Sequence, residues 1–455
     1  MKIFTCALIL VALLSFSGCG NFFSSTQTTH NEWTWVAGSD IVNQAGNYGV
    51  QGTPAAGNTP GARVNAVSWV DKSGSFWLFG GMIAPGANGD NYFNDLWKFS
   101  NGQWTWMSGS NSYNQLGIYG TEGTASSSNI PGARAQAVGW TDSSGNLWLF
   151  GGLGVDSLSV GRLLNDLWMY SNGEWTWMGG SNVGDQIGVY GTRGTAAPAN
   201  VPGARALALS LADASGDLWL FGGSGFDSAG NNDYLNDLWK YSNGQWTWVS
   251  GSDLVDQPGS YGTQGIAAAS NVPGARIEAG GWADSSGNLW LFGGSEGPDG
   301  TFHLFNDLWE FSSGEWTWVA GTNLTNQNGV YGTEGSASSS NTPGTRVTPL
   351  TWIDSSGNMW LFGGDGYDSV GALGVMNDLW EYNDGEWTWI GGAETVGASG
   401  TYGTEGTGAS TNVPGARYGS VTWIDSSGNF WLFGGNGFDS AGTLGMLNDL
   451  WRYQP

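Results

Sequence analysis

Cysteine, histidine and basic side chains are scarce in this sequence. Its 455 residues include 2 Cys, 2 His and 13 Lys plus Arg. Both cysteines, Cys6 and Cys19, lie within the first 19 residues, so the remaining chain holds neither a disulfide framework nor a thiolate metal site. Stability must come from packing. The two histidines are His30 and His303, and a Ser-His-Asp triad would have to use His303, a lone loop histidine, which argues against such a hydrolase. Against 38 acidic residues the few cations leave a formal charge of −25. Such a surface repels phosphate backbones and anionic headgroups, so nucleic acid is not an expected partner. A charged fraction of only 11% also disfavours long solvated helices.

The N-terminus carries its own signal. Met1 and Lys2 precede an apolar run, Ile3 to Phe16, which is short for a membrane span but right for an export signal. It ends in Phe16-Ser17-Gly18-Cys19, which resembles a bacterial lipobox. The resemblance implies removal of residues 1–18, lipidation of Cys19, a tether over 19–30, and a place in the cell envelope at the outer membrane or cell surface. Phe16 stands where Leu is usual, so an ordinary secretory signal and a secreted protein is the alternative.

What the chain does have is glycine, 79 residues, and tryptophan, 29. Phe-Gly-Gly starts at Phe79, Phe150, Phe221, Phe292, Phe362 and Phe433, a period of 70 or 71 residues. Trp-Thr-Trp and Asn-Asp-Leu-Trp each recur six times in the same register. Within one repeat, four segments read as strands: 134–141, 147–150, 166–170 and 175–178. Tight turns at Asp142-Ser143-Ser144-Gly145 and Ser171-Asn172-Gly173 join the first pair and the last pair. The other two links are long, 12 and 24 residues. An all-β fold follows: a six-bladed β-propeller of four-stranded antiparallel blades over residues 31–455, with the long links gathered on one face, the usual binding face. The chain opens on an isolated Trp33-Thr34-Trp35 and its last repeat lacks that strand. The N-terminal strand is therefore expected to complete the last blade and close the ring.

The order of a Gly-Gly doublet, an Asn-Asp aromatic strand and a Trp strand resembles the kelch repeat. Arg134, Gly151, Gly152, Asn165-Asp166-Leu167-Trp168 and Trp175 carry the likeness in one repeat, and it extends over residues 31–455. Trp168 replaces the more common Tyr, and the 24-residue link is longer than usual. The resemblance implies a propeller that serves as a protein-binding scaffold, with a minority of relatives enzymatic or carbohydrate-binding. Copper-radical oxidation of the galactose oxidase kind needs two His, two Tyr and a Cys at one site, which this chain does not supply.

Several repeated residues are candidates for function. Arg63, Arg134, Arg205, Arg276, Arg346 and Arg417 recur with Asp95, Asp166, Asp237, Asp307, Asp378 and Asp449. Pairing that ties blades together is expected, since unpaired cations around a channel would repel one another. Tyr48, Tyr119, Tyr190, Tyr261, Tyr331 and Tyr402, in Gly-rich loops, are the candidate ligand contacts. The Trp-Thr-Trp pairs are a weaker sugar-stacking signal. No cofactor is expected; Asp156, Asp227, Asp299, Asp368 and Asp439 offer Ca²⁺ at most, and Asx turns explain them as well. Asp142 and its repeats resemble an Asp-box turn and are assigned to structure. A catalytic site needs one blade to differ, and Arg162, Arg193, Glu278 and His303 are the scattered departures. The expected function is that of an exported, monomeric binding module for a protein or glycan, reaching the membrane only through its lipid. A carbohydrate-active or other propeller enzyme, or a structural or adhesive repeat, is the alternative.

Overall fold

The computed structural model describes residues 31–86, 89–297 and 303–455. Cys19, His30, Asp299 and the segments 1–18 and 19–29 lie outside the described residues. Every regular element described is a β-strand. Apart from two short two-stranded hairpins they form six antiparallel sheets, each four strands deep from the axis outwards. In blade 2 the order is Val138–Thr141, Leu147–Val155, Val160–Ser171 and Glu174–Gly179. The inner strands of neighbouring blades touch in a closed cycle.

The ring closes as expected. Glu32–Ala37 pairs antiparallel with Leu444–Gln454, setting Trp33 opposite Tyr453 and Trp35 opposite Trp451. Trp33 is buried against Phe362, Trp451 and Tyr453, so the first strand fills the core between blades 5 and 6.

Tryptophan packs the space between blades. The first Trp of each Trp-Thr-Trp is buried, as at Trp104, Trp175 and Trp246. At about 200 Å² each, such a ring contributes about 5 kcal/mol of apolar burial. On the inner strands the indole N–H reaches the next blade: Trp69 Nε1 donates to Trp148 O (2.8 Å), Trp140 to Trp219 O (3.1 Å) and Trp423 to Trp77 O (3.3 Å). Leu211 takes this place in blade 3 and leaves a small apolar void beside Leu209, Phe221 and Trp290.

Three details depart from the strand pattern expected. The inner strand is not continuous over 134–141: it breaks at Gln136, whose φ is 59°. The 12-residue link is no loop in four blades, because the strand bulges at Gly-Gly and runs on into a long hairpin, as in Leu147–Val155 with Val160–Ser171. The 24-residue link does not stay on one face. It descends along the outer strand of the next blade, where Gly123 N donates to Trp177 O (2.7 Å) and Asn129 Nδ2 to Trp175 O (3.1 Å). That drape satisfies the backbone of an edge strand otherwise open to pairing.

Candidate ligand-binding face

The repeated ionic residues form six copies of one buried cluster. In blade 2, Arg134 Nη1 and Nη2 donate to the two carboxylate oxygens of Asp166 at 2.7 and 2.8 Å. Nη1 also reaches Gly151 O, and Nε reaches Gly132 O. Asp166 Oδ2 further accepts from Tyr119 Oη (2.7 Å) and Trp168 Nε1 (2.7 Å). Every partner is buried, and the lone pairs are well used, which is what a desolvated ion pair requires. The tie between blades is made by the arginine's backbone: Arg134 N donates to Phe93 O, and Arg134 O accepts from Gly81 N, both in blade 1.

This cluster relocates the loop tyrosines. Tyr119, Tyr190, Tyr331 and Tyr402 are buried, Tyr48 and Tyr261 half-buried, and each hydroxyl donates to its blade's aspartate. Burial, with the adjacent carboxylate adding to it, pushes these phenols well above their ordinary range. Their rings lie between two indoles, Tyr119 against Trp168 and edge-on to Trp177. They are part of the scaffold, not an open stacking surface. A constant spacing of 46 or 47 residues from each tyrosine to its aspartate was the signal for that role. The second Trp of each Trp-Thr-Trp, half-buried except for the buried Trp389, donates to a nearby carbonyl, as Trp106 does to Ser108 O.

Asp156, Asp227, Asp368 and Asp439 sit buried at the ends of the long hairpins. Asp227 Oδ1 accepts from Ala229 N and Asn231 N, and Oδ2 from Asn231 Nδ2 and Val255 N. Burial opposes ionisation, but these donors hold the Asp227 carboxyl below its usual range. Asx turns thus occupy the oxygens. Among the described residues no group of three or more His, Cys, Asp or Glu is placed to hold a metal ion. In the tight turns, Asp142 accepts from Ser144 N, Asn146 N and Trp148 Nε1, a structural role.

Blade-specific residues collect at the loop end of the axis. Asn65, Gln136, Leu207, Glu278, Thr348 and Gly419 all have positive φ. Their backbones link blade to blade, with Gln136 N donating to Asn65 O, Leu207 N to Gln136 O, Glu278 N to Leu207 O and Thr348 N to Glu278 O. Burial, reinforced by the Asp365 carboxylate, pushes Glu278 up to about 7. Tyr234 feels the charges of Asp233, Glu278 and Asp256.

The hairpins themselves divide four and two. In blades 2, 3, 5 and 6 the hairpin folds over the incoming link, and Gly117, Gly188, Gly329 and Gly400 donate to the carbonyls of Asp156, Asp227, Asp368 and Asp439 (3.1–3.2 Å). Blades 1 and 4, opposite in the ring, carry separate shorter pairings, Met82–Gly86 with Gly89–Tyr92 and Ser295–Glu296 with His303–Leu304. Equivalent pockets occur beside these two hairpins. That on blade 1 measures about 500 Å³ and is lined by Asn43, Gln44, Phe93, Asn111 and Tyr113, among others. That on blade 4 measures about 270 Å³ and is lined by Tyr234, Asp256, Gln257, Glu296 and His303. His303 Nδ1 lies 3.9 Å from Glu296 Oε1. Arg162 instead forms a surface pair with Asp185, and Arg193 lies over the Trp248 ring.

No protein-family profile matches the chain, and no curated protein matches it. Among solved structures it is similar to that of YjhT, with a TM-score of 0.50 and 13% identity over 86% of this chain and 95% of that one. A fungal alcohol oxidase of the AA5 family, solved in complex with copper, gives a TM-score of 0.47 and 14% identity over 90% of this chain and 77% of that one. The six sheets set in a ring are a six-bladed β-propeller. At such identity the likeness is one of fold alone.

Proposed function

We propose that this protein is an exported, non-enzymatic binding module that recognises a protein or glycan through the hairpins and links at the loop end of the propeller. One observation carries the reading. The large hydrophobic side chains most exposed among the described residues all lie in the long links or hairpins, including Leu158, Val370, Leu373 and Leu444 on the hairpins of blades 2, 5 and 6. The tight-turn end exposes none of them. Exposed apolar groups concentrated in the links and hairpins suit recognition better than solubility. Lipidation of Cys19, with 19–30 as tether, would hold the module at the cell envelope and leave this end free.

The test is a screen of the full chain against glycan and secreted-protein libraries, repeated with Leu158→Ser, Val370→Ser and Leu444→Ser combined. Binding lost in the triple variant but kept in Ser355→Ala at the tight-turn end, with equal melting temperatures, supports the reading. Absence of binding to either library refutes it. A second reading, a carbohydrate-active enzyme, draws on the coupled Glu278 and Asp365 carboxyls at the axis. It predicts turnover of a glycan that Glu278→Gln abolishes.

A further inference from the structure

The two open pockets share a frame and differ in chemistry. Gln44 and Ala62 in one correspond by the repeat to Gln257 and Ala275 in the other. The blade 4 pocket carries Asp256, Glu296 and His303. Among the described residues the blade 1 pocket has no charged side chain in its lining, in a chain whose formal charge is −25. Three aromatic rings line it instead, the half-buried Tyr48 of the scaffold among them. Phe93, buried, forms the floor, and Tyr113, 43% exposed, stands edge-on to it at 5.0 Å and 67°. Tyr113 has no aromatic counterpart: the matching positions are Val42, Gly184, Val255, Thr325 and Val396. It is therefore not scaffold, unlike the six repeated tyrosines.

Three amides edge the same pocket. Gln44 Nε2 is committed to Val42 O (2.9 Å), which leaves Oε1 as an acceptor. Asn43 Oδ1 accepts from Met446 N (3.1 Å), which leaves Nδ2 as a donor. Asn111 is exposed, and its amide offers both a donor and an acceptor. Beneath the floor, the Arg63 guanidinium lies 4.1 Å from the Phe93 centroid and occupies that ring's attraction for a cation. Neutral donors and acceptors beside an exposed ring suit a ligand with an apolar face and a rim of hydroxyls.

We propose that the blade 1 pocket is a binding site for one or two residues of a neutral saccharide, stacked on Tyr113 and hydrogen-bonded by Asn43, Gln44 and Asn111. The inference rests on the binding-module reading and names the ligand of one part of its face. A volume of about 500 Å³ suits a ligand of that size. The contrast with blade 4 makes the site single: one equivalent of neutral sugar per chain.

The test is calorimetric titration of the full chain with neutral gluco-, galacto- and manno-configured oligosaccharides. Saturable binding at one site per chain is expected, weakened about 10-fold or more by Tyr113→Ala and several-fold by Asn111→Ala, but retained by Tyr113→Phe. Melting temperatures should not change, because Tyr113 and Asn111 are exposed. Ser355→Ala at the tight-turn end should bind as the parent chain does. A glycoprotein bearing the preferred sugar, assayed before and after deglycosylation, separates free from protein-borne glycan. Binding that survives Tyr113→Ala overturns the site. A protein ligand with no neutral sugar bound overturns it while leaving the binding module intact; silence in both libraries overturns both.

Discussion

Glu278→Gln should stabilise the protein above neutral pH and change little in acid. The Glu278 carboxyl is mostly buried, faces Asp365, and titrates near 7 where an ordinary glutamate titrates near 4.5. Because its native value is the higher one, the folded state favours the protonated form. The penalty on the native state is absent below about pH 4.5, grows between 4.5 and 7, and is complete above 7. At 1.36 kcal/mol per pH unit the full displacement corresponds to at most about 3 kcal/mol. Partial exposure of the side chain screens it, so about 2 kcal/mol is expected. Glutamine keeps the shape and removes the charge. For a chain of this size that gain raises the melting temperature by about 2 °C at pH 8 and by nothing measurable at pH 4. Thermal melts of both proteins across pH 4–8 give the difference directly. A stabilisation that does not vary with pH, or a loss at pH 8, refutes the reasoning. Asp365→Asn should recover part of the same gain by removing the neighbouring charge.

Three further outcomes follow from the packing. Deleting residues 31–38 removes Trp33 and opens the edge of Leu444–Gln454, so melting should fall by about 5 °C or more, since losing a buried Trp alone costs about 3–5 kcal/mol; an unchanged melting curve would contradict closure by pairing. Arg134→Met strands the Asp166 carboxylate and should cost about 3–5 kcal/mol by denaturant titration, with Asp166→Leu added on the same chain restoring part of it. Leu211→Trp should fill the void between blades 3 and 4 and donate to Trp290 O, gaining about 1 kcal/mol; destabilisation would show that the blades there cannot accept the larger ring.

The ring, its blades and its closure were legible because the repeat is written in core residues. Phe-Gly-Gly, Trp-Thr-Trp and Asn-Asp-Leu-Trp all mark buried positions, and burial fixes their spacing. The Arg–Asp pairing was legible for a related reason, since like charges in register need partners. The tyrosines were misplaced because Gly-rich flanks suggest an exposed loop, whereas each chain segment turns inwards there and sends its ring between two indoles. The break at Gln136 left no trace, as neither glycine nor a turn motif marks it. The four-and-two division of hairpins did leave one. Gly-x-Asp-Ser at 154–157, 225–228, 366–369 and 437–440 is absent from 82–93 and 295–305. Asp299 obscured it by falling near the register of the other aspartates. The blade 1 pocket was invisible in sequence because Asn43, Phe93 and Tyr113 come from three separate segments joined only by the fold.

The partner of Glu32–Ala37 has a consequence for how the chain is made. Of the described strands Glu32–Ala37 is made first, and its sheet partner is Leu444–Gln454, more than 400 residues later. Five blades can assemble in order while Trp33 and Trp35 wait without their sheet. The final step is a single long-range docking that buries Trp33 and joins Asn31 N to Gln454 O, an intrinsically slow kind of contact. Because those positions meet, a circular permutant joined there and cut between two other blades would hold the same ring with a different strand made first. Its refolding rate, set against that of the parent, would time the closing step by itself.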